Sequence, residues 1–349
     1  MGIRYFSKKV AKWYKEHHRN LPWRSTRDPY RIWLSEIILQ QTRVNQGLPY
    51  YEHFIEKYPN VRILANAPEQ DVLRSWQGLG YYTRARNLHR CAKEVSEKYN
   101  GVFPDTFEAL HKLPGIGDYT AAAIASIAYC EPVAVVDGNV YRVLARIFGI
   151  ETAVNSNQGK KEFSAIANEI LDKEQPNIHN QAMMEFGALF CTPKNPNCVE
   201  CTFKSTCVAY KGDLQHVLPV KTKPKKSRKR YFYYFVLQKG KSLALKKREE
   251  KDIWHGLYDF TLIERDRPAK METLTQDKFI EKLLQHRFEV SEEYKHVLSH
   301  QTIHARFILV RDDLHLKLPK GISYYSPIQI AELPKPVLIS RFLMDKHLL

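Results

Sequence analysis

Two carboxyls and four thiols are the side chains of this sequence whose type and spacing suggest chemistry. Asp28 and Pro29 make a good helix start, so the sequence predicts a helix over Tyr30 to Gln41. On it Ile32, Trp33 and Leu39 stand at i−4, i−3 and i+3 from Glu36, which puts the acid on an apolar face. A carboxyl desolvated in that way rises in pKa and suits a general acid near neutral pH. The simpler alternative is a buried structural glutamate paired with Arg24 or Arg43, and helix geometry alone favours it. Asp137 closes the apolar run Val133 to Val136 and opens a helix at Gly138-Asn139-Val140-Tyr141, which by itself reads as an ordinary N-cap. The two roles are compatible, because amides at a helix start hold a carboxylate ionised and such a carboxylate stabilises a cationic sugar. Two carboxyls pushed in opposite directions by their surroundings are the expected pair for cleaving a glycosidic bond.

The thiols are Cys191, Cys198, Cys201 and Cys207, spaced C-x6-C-x2-C-x5-C, while Cys91 and Cys130 stand apart. Crowding of this kind reads as zinc or a four-iron cluster rather than a disulfide framework, and sulfur chemistry alone leaves the choice open. A further segment, Leu113-Pro-Gly-Ile-Gly117 followed by Asp118-Tyr119-Thr120, reads as a hairpin between two helices. Gly115 and Gly117 would let its amides approach a DNA phosphate without reading base sequence, and a plain helix–helix turn fits equally well.

The elements that must position these groups fall into two textures. Up to about Tyr210 apolar residues recur at helical spacing. Lys221 to Arg230 then carries seven basic residues and no acid, a solvated tether by composition. Beyond it Tyr231 to Gln238, Ser242 to Leu245 and Ala305 to Val310 are β-prone, and Phe279 to Gln285 suits a helix. The expected architecture is a mainly α first part over 1–213, a basic linker over 214–230 and a smaller α+β domain over 231–349.

With 349 residues, 44% hydrophobic, the chain has material for two cores. A formal charge of +16 favours polyanions, nucleic acid first and anionic membrane second. The richest apolar stretch, Ala121 to Tyr129, is too short to span a bilayer and contains Ser126. There is no secretory-type apolar run at the start, and Phe6 stands where a myristoylation signal needs Ser or Thr. The expectation is a soluble monomer, intracellular, and cytoplasmic and nucleoid-associated if bacterial.

Together these motifs resemble the helix–hairpin–helix DNA glycosylase superfamily, and within it the MutY-type adenine glycosylases. The resemblance runs through LPWR (21–24), WLSEIILQQTRV (33–44), GLGYYTRARNLH (78–89), LPGIGDYTAAAI (113–124), VVDGNVYRVLARI (135–147) and NQAMMEFGALFC (180–191). It implies a helix–hairpin–helix glycosylase fold, with a [4Fe–4S] cluster on the four cysteines. It also implies excision of adenine mispaired with 8-oxoguanine or guanine in double-stranded DNA. Glu36 would protonate adenine at N7, Asp137 would stabilise or briefly bond the oxocarbenium-like sugar, and Tyr119 and Asn139 would orient them. Trp23, Arg24, Leu39, Gln181 and Met184 match pocket positions for the extruded base. Extrusion is required because the reacting bond is out of reach in a stacked duplex. Gln41, Thr42, Leu79 and Tyr81 match the family's wedge and partner-base contacts. The related endonuclease III uses a hairpin lysine where this chain has Tyr119, so strong lyase activity is not expected.

IWHGLYDF (253–260) and LSHQTIHARF (298–307) resemble the family's Nudix-like carboxyl-terminal module. The family's Phe-Ser-His tripeptide, which reads oxidised guanine, stands here as Leu298-Ser299-His300, so Ser299 and His300 carry over and the aromatic ring does not. Neither Gly240 nor Gly256 begins a Nudix box, and pyrophosphate hydrolysis is not expected. The rival readings are an endonuclease III-like glycosylase/lyase and a non-catalytic DNA-binding iron–sulfur protein.

Overall fold

Helix α1 (Ile3–His17) buries Phe6, Val10, Trp13 and Tyr14, a stripe at four- and three-residue spacing. That stripe packs into a core with Val140, Val143, Leu144 and Ile147 of α9 (Gly138–Phe148) and Ala182, Met183 and Phe186 of α11 (Pro176–Leu189). In chain order the other helices of this part of the sequence are α2 (Pro29–Leu39), α3 (Val44–Lys57), α4 (Val61–Asn66), α5 (Glu69–Ser75), α6 (Thr83–Lys98), α7 (Phe107–His111), α8 (Asp118–Tyr129), α10 (Asn157–Glu169) and α12 (Val208–Lys211). Several starts have a local cause. Asp28 caps α2 through the Tyr30 amide at 2.9 Å with Pro29 in the first turn, and Thr106 and Ser156 cap α7 and α10. Helix α2 stops at Leu39, short of the expected Gln41, because Gln41 takes a left-handed φ of 54°.

The second texture begins at β1 (Arg228–Lys239), followed by β2 (Ser242–Lys247), β3 (Tyr258–Asp259), β4 (Thr261–Arg265), α13 (Lys278–Leu284), β5 (Phe288–Val290), β6 (Tyr294–Val297), β7 (Gln301–Arg311), β8 (Ile322–Tyr325), α14 (Pro327–Glu332) and α15 (Val337–Asp345). Among the described residues all eight strands join one sheet. Its centre is the β1–β7 pair, parallel from Arg228↔Gln301 to Gln238↔Arg311, with the remaining pairs antiparallel. Phe232 to Leu237 are buried without alternation, as a strand covered on both faces requires. Ile280 and Leu283 of α13 pack with Tyr233, Phe235, Leu237, Ile308 and Val310, while Phe342 of α15 stacks on Phe307 at 3.9 Å.

This computed structural model describes residues 3–222, 227–275, 278–311 and 316–349. The middle of the basic tether, 223–226, lies outside the described residues. Its last residues, Arg228 to Arg230, belong to β1 rather than to a linker, because they pair with β7. The chain divides into two compact units, and the division is not the simple one the sequence suggests. The first comprises residues 1–66 and 87–223, the second 67–86 and 224–349. The segment 67–86, which lies inside the helical part of the sequence, therefore counts with the sheet. No helix among the described residues is long and apolar enough to cross a membrane.

Candidate active site

A cavity of about 400 Å³ in the first unit is lined by side chains from η-turn 22–24, α2, α8, α9 and α11. Glu36, Tyr119, Asp137 and Asn139 face it together with Trp23, Arg24, Leu39, Thr42, Gln181 and Met184. Residues scattered between 23 and 184 thus meet at one place.

Glu36 lies in the middle of α2 with Ile32, Trp33, Leu34, Ile37 and Ile38 all buried beside it, and is itself 7% exposed. Burial pushes its carboxyl up to about 7, the Tyr119 hydrogen bond pulls it down, nearby Asp137 pushes it up and Arg24 pulls it down. Its hydrogen-bonding partner is the Tyr119 hydroxyl, which donates to Oε2 and also approaches Met184 Sδ at 3.6 Å. Neither arginine considered from sequence is that partner. Arg24 instead donates to Glu185 Oε2 at 2.5 Å, and Arg19 donates to the same carboxylate through its amide, Nε and Nη2. Glu185 is fully buried; burial works to raise its carboxyl, but the Arg24 and Arg19 hydrogen bonds prevail and hold it at about 2. Consequently Glu185 consumes the cationic charge at the cavity wall, and Glu36 can stay protonated near neutral pH.

Asp137 caps α9, accepting from the Asn139 amide at 2.9 Å and the Val140 amide at 2.7 Å, while Asn139 Nδ2 donates to Oδ2 at 2.7 Å. Arg142 fixes that amide's orientation by donating from Nη2 to Asn139 Oδ1 at 2.9 Å. The same Nη2 reaches Gly187 O at 2.6 Å, and a Cβ on Gly187 would come within 2.7 Å of Asn139 Cβ. Glycine on α11 is what lets α9 come this close. The expected divergence of the two pKa values is not what the geometry gives. Burial raises Asp137 as well, against the Val140 amide, the Asn139 side chain and amide, and Arg142. All three of its hydrogen bonds nevertheless come from donors, an arrangement suited to an anion.

Sequence reasoning missed Arg19, Arg142, Glu185 and Gly187. The available signal was an arginine and a glutamate at otherwise apolar helical positions, which in a buried setting implies a partner.

The hairpin lies between α7 and α8. Gly115 has φ 77°, and a Cβ there would meet Asn87 Cβ at 2.6 Å, whereas Gly117, at the N-cap of α8, faces open space. Gln41 is exposed and does not line the cavity, whereas Thr42 does. Leu79 is buried, and Tyr81 is 44% exposed with φ 50°. Ser299 and His300 form the exposed turn between β6 and β7, where their Oγ and Nδ1 lie 3.2 Å apart.

Cys191, Cys198, Cys201 and Cys207 line one small cavity with Phe186, Phe190 and Arg146. Arg146 Nη1 reaches Cys191 Sγ at 3.5 Å, and the Phe203 amide reaches Cys201 Sγ at 3.4 Å. N–H groups aimed at sulfur inside an apolar shell suit thiolates bound to an iron–sulfur cluster. Among the described residues no three His, Cys, Asp or Glu side chains form a ready metal site, so the fit rests on the shared cavity and these donors.

Residues 34–173 match the family described as HhH-GPD superfamily base excision DNA repair protein, and residues 233–345 match the NUDIX domain. The adenine DNA glycosylase of Buchnera aphidicola subsp. Baizongia pistaciae is 36% identical over 318 residues, covering 87% of this chain and 86% of that protein. That of Mus musculus is 42% identical over 214 residues, covering 59% of this chain and 42% of the mouse protein. Among solved structures, a thermostable thymine-DNA glycosylase aligns with TM-score 0.56 and 30% identity over 60% of this chain and 97% of its own. A trapped endonuclease III–DNA covalent intermediate aligns with TM-score 0.53 and 26% identity over 61% and 97%.

Proposed function

Because this chain belongs to the HhH-GPD superfamily of base excision DNA repair proteins, and within it to the adenine DNA glycosylases, we propose that it excises adenine facing 8-oxoguanine or guanine in duplex DNA. It acts as a monomer and without strand cleavage of its own. The observation that carries this reading is the single cavity holding a carboxyl poised near neutral pH beside a donor-wrapped second carboxyl.

Adenine must leave the stack to reach such a cavity, at a cost of a few kcal/mol. Glu36 in its acid form gives its proton to adenine N7. The bond from the sugar to the base then breaks with its electron pair staying on the base, and positive charge develops on the sugar. Asp137, held by Asn139 and two amides, faces that charge and either stabilises it or bonds to it briefly. Glu36, now a carboxylate, takes a proton from the attacking water. Tyr119 keeps Glu36 oriented, and no lysine stands at that position to form a Schiff base. Trp23, Arg24, Leu39, Gln181 and Met184 shape the space for the base.

Gln41, Thr42, Leu79 and Tyr81 fill the gap and hold the partner base, while Gly115 and Gly117 meet the phosphates. Ser299 and His300 read the oxidised guanine, with Leu298 contributing no ring. Cys191, Cys198, Cys201 and Cys207 would hold a [4Fe–4S] cluster, which when bound would cross-link its loop and support a DNA-contacting surface.

Single-turnover assays on A·8-oxoguanine duplexes, with A·T and oxidised-pyrimidine controls, test the reading. The expected result is adenine loss only from the mispair, with strand breaks appearing only after alkali. Breaks without alkali at oxidised pyrimidines would move the protein to the lyase branch, and binding without base release would leave only a docking role.

A further inference from the structure

Residues 67–86 are continuous with the helical part of the sequence yet belong to the same unit as the sheet. Two hydrogen bonds from this segment to the rest of the unit converge on one residue. Lys335 N donates to Gln77 Oε1 at 3.2 Å, and Tyr82 OH donates to Lys335 O at 3.3 Å. Gln77 and Tyr82 flank Gly78-Leu79-Gly80-Tyr81, a turn in which residues 78, 80 and 81 have φ of 97°, 77° and 50°. One residue after α14 therefore grips both ends of the turn through its backbone N–H and C=O. Lys335 is itself fixed, because its side chain is 3% exposed and its ammonium donates to Ile330 O at 2.7 Å and Leu333 O at 3.0 Å. Further out, Arg74 pairs with Glu332, and Arg86 donates to His255 O.

The turn is also stapled from within. Trp76 Nε1 donates to Gly80 O at 2.9 Å, and Arg84 lies over the Trp76 and Tyr81 rings at 5.2 and 5.4 Å. Gly78 and Gly80 take positive φ without steric cost, but Tyr81 at φ 50° is unfavourable in isolation and persists only where its surroundings over-determine it.

We propose that Lys335 is a positioning residue for the 78–81 turn, so that the sheet domain sets the geometry of the wedge as well as reading the partner base. The inference rests on the adenine-excision reading, in which Leu79 and Tyr81 fill the gap left by the extruded base. A turn already held in its final shape loses no ordering entropy when it enters the duplex. The benefit is largest where the adenine must be pulled from a full stack, and smallest where the opposite base is missing.

The test uses the full-length protein with Tyr82→Phe and Gln77→Ala, which remove the two bonds to the Lys335 backbone, and Lys335→Met as a third variant. Single-turnover rates are measured on adenine opposite 8-oxoguanine and opposite an abasic site, alongside thermal unfolding. A net hydrogen bond corresponds to about fivefold. The double variant Gln77→Ala/Tyr82→Phe should lose at least ~10-fold on the stacked duplex and less than ~3-fold opposite the abasic site. Fluorescence of 2-aminopurine at the target position should report slower extrusion to match. Equal losses on both substrates, or none on either, in protein with unchanged melting would overturn the proposal. Should Lys335→Met fail to fold, the double variant still decides. No adenine release by wild type on either duplex would instead sink the excision reading itself.

Discussion

Tyr119 on α8 donates its hydroxyl to Oε2 of Glu36 on α2, eighty-three residues earlier in the chain. With Met184 Sδ 3.6 Å from the Tyr119 hydroxyl oxygen, three helices meet at this hydroxyl. Burial alone would carry Glu36 higher than about 7; the Tyr119 bond opposes it, and the balance leaves the acid poised near neutrality. An acid with that pKa is present in both protonation states at physiological pH, which both its proposed roles require.

The first expectation concerns pH. The proton-donating form of Glu36 is lost as pH rises through about 7, so single-turnover excision should fall above it, approaching tenfold per pH unit. Rates from about pH 5.5 to pH 9 at constant ionic strength check this. A level profile across that range would remove Glu36 as the proton donor.

Stability should move the other way when Glu36 is neutralised. In the unfolded chain this carboxyl titrates near the ordinary glutamate value of 4.5, and in the fold at about 7. The folded state binds the extra proton between those values, so stability falls as pH rises through that window. The penalty is absent below 4.5 and complete above about 7, amounting to ~3 kcal/mol. Glu36→Gln should therefore unfold at higher temperature than wild type at about pH 8, match it at about pH 4, and release no adenine. Calorimetry at the two pH values is the measurement.

Tyr119→Phe removes the hydroxyl that draws Glu36 down. Two consequences follow with opposite feel: the rate at neutral pH drops, by about tenfold for a lost orienting bond, while the alkaline limb shifts to higher pH. A drop in rate with the limb unmoved would mean that the hydroxyl acts on substrate rather than on Glu36.

Glu185 is fully buried between Arg24 and Arg19, whose own side chains are 13% and 35% exposed. Removing its charge leaves Arg24 partly buried without its counter-ion, an imbalance that costs ~3 kcal/mol. Glu185→Gln should lower the urea midpoint accordingly, and the freed Arg24 charge should pull the excision limb to lower pH. Unchanged stability would show that the network is solvated in solution.

What could be read in advance from the sequence divides along physical lines. Local rules sufficed for the helix holding Glu36, since an Asp-Pro start and an apolar i−4, i−3, i+3 set need no distant partner. The N-cap at Asp137 and the β-prone runs were equally local. The Arg24–Glu185 pair spans 161 residues, and no spacing rule links such positions. Nor could periodicity assign 67–86 to the sheet unit, whose partners, such as Lys335, lie more than two hundred and fifty residues away. The pKa direction at Asp137 failed for a related reason: capping geometry is local, but desolvation depends on everything packed around it.

The two hairpin glycines separate folding from binding. Gly115 has φ 77° and a Cβ there would meet Asn87 Cβ at 2.6 Å, so Gly115→Ala adds left-handed strain of ~1–2 kcal/mol to a clash. Its thermal midpoint should fall. Gly117 is different, with φ −98° and no atom within 4 Å of the place a Cβ would take. Gly117→Ala should keep stability within about 1 kcal/mol, since only the N-cap preference changes. On the proposed reading its methyl stands where a phosphate meets the hairpin amides, so DNA affinity should weaken by about tenfold. Because no charge is lost, the salt dependence of binding should keep its slope, and the two affinity curves should run parallel across ionic strength. Titration of fluorescent duplex at several salt concentrations measures both quantities. Unaltered affinity for Gly117→Ala would return the hairpin to a plain connection between two helices.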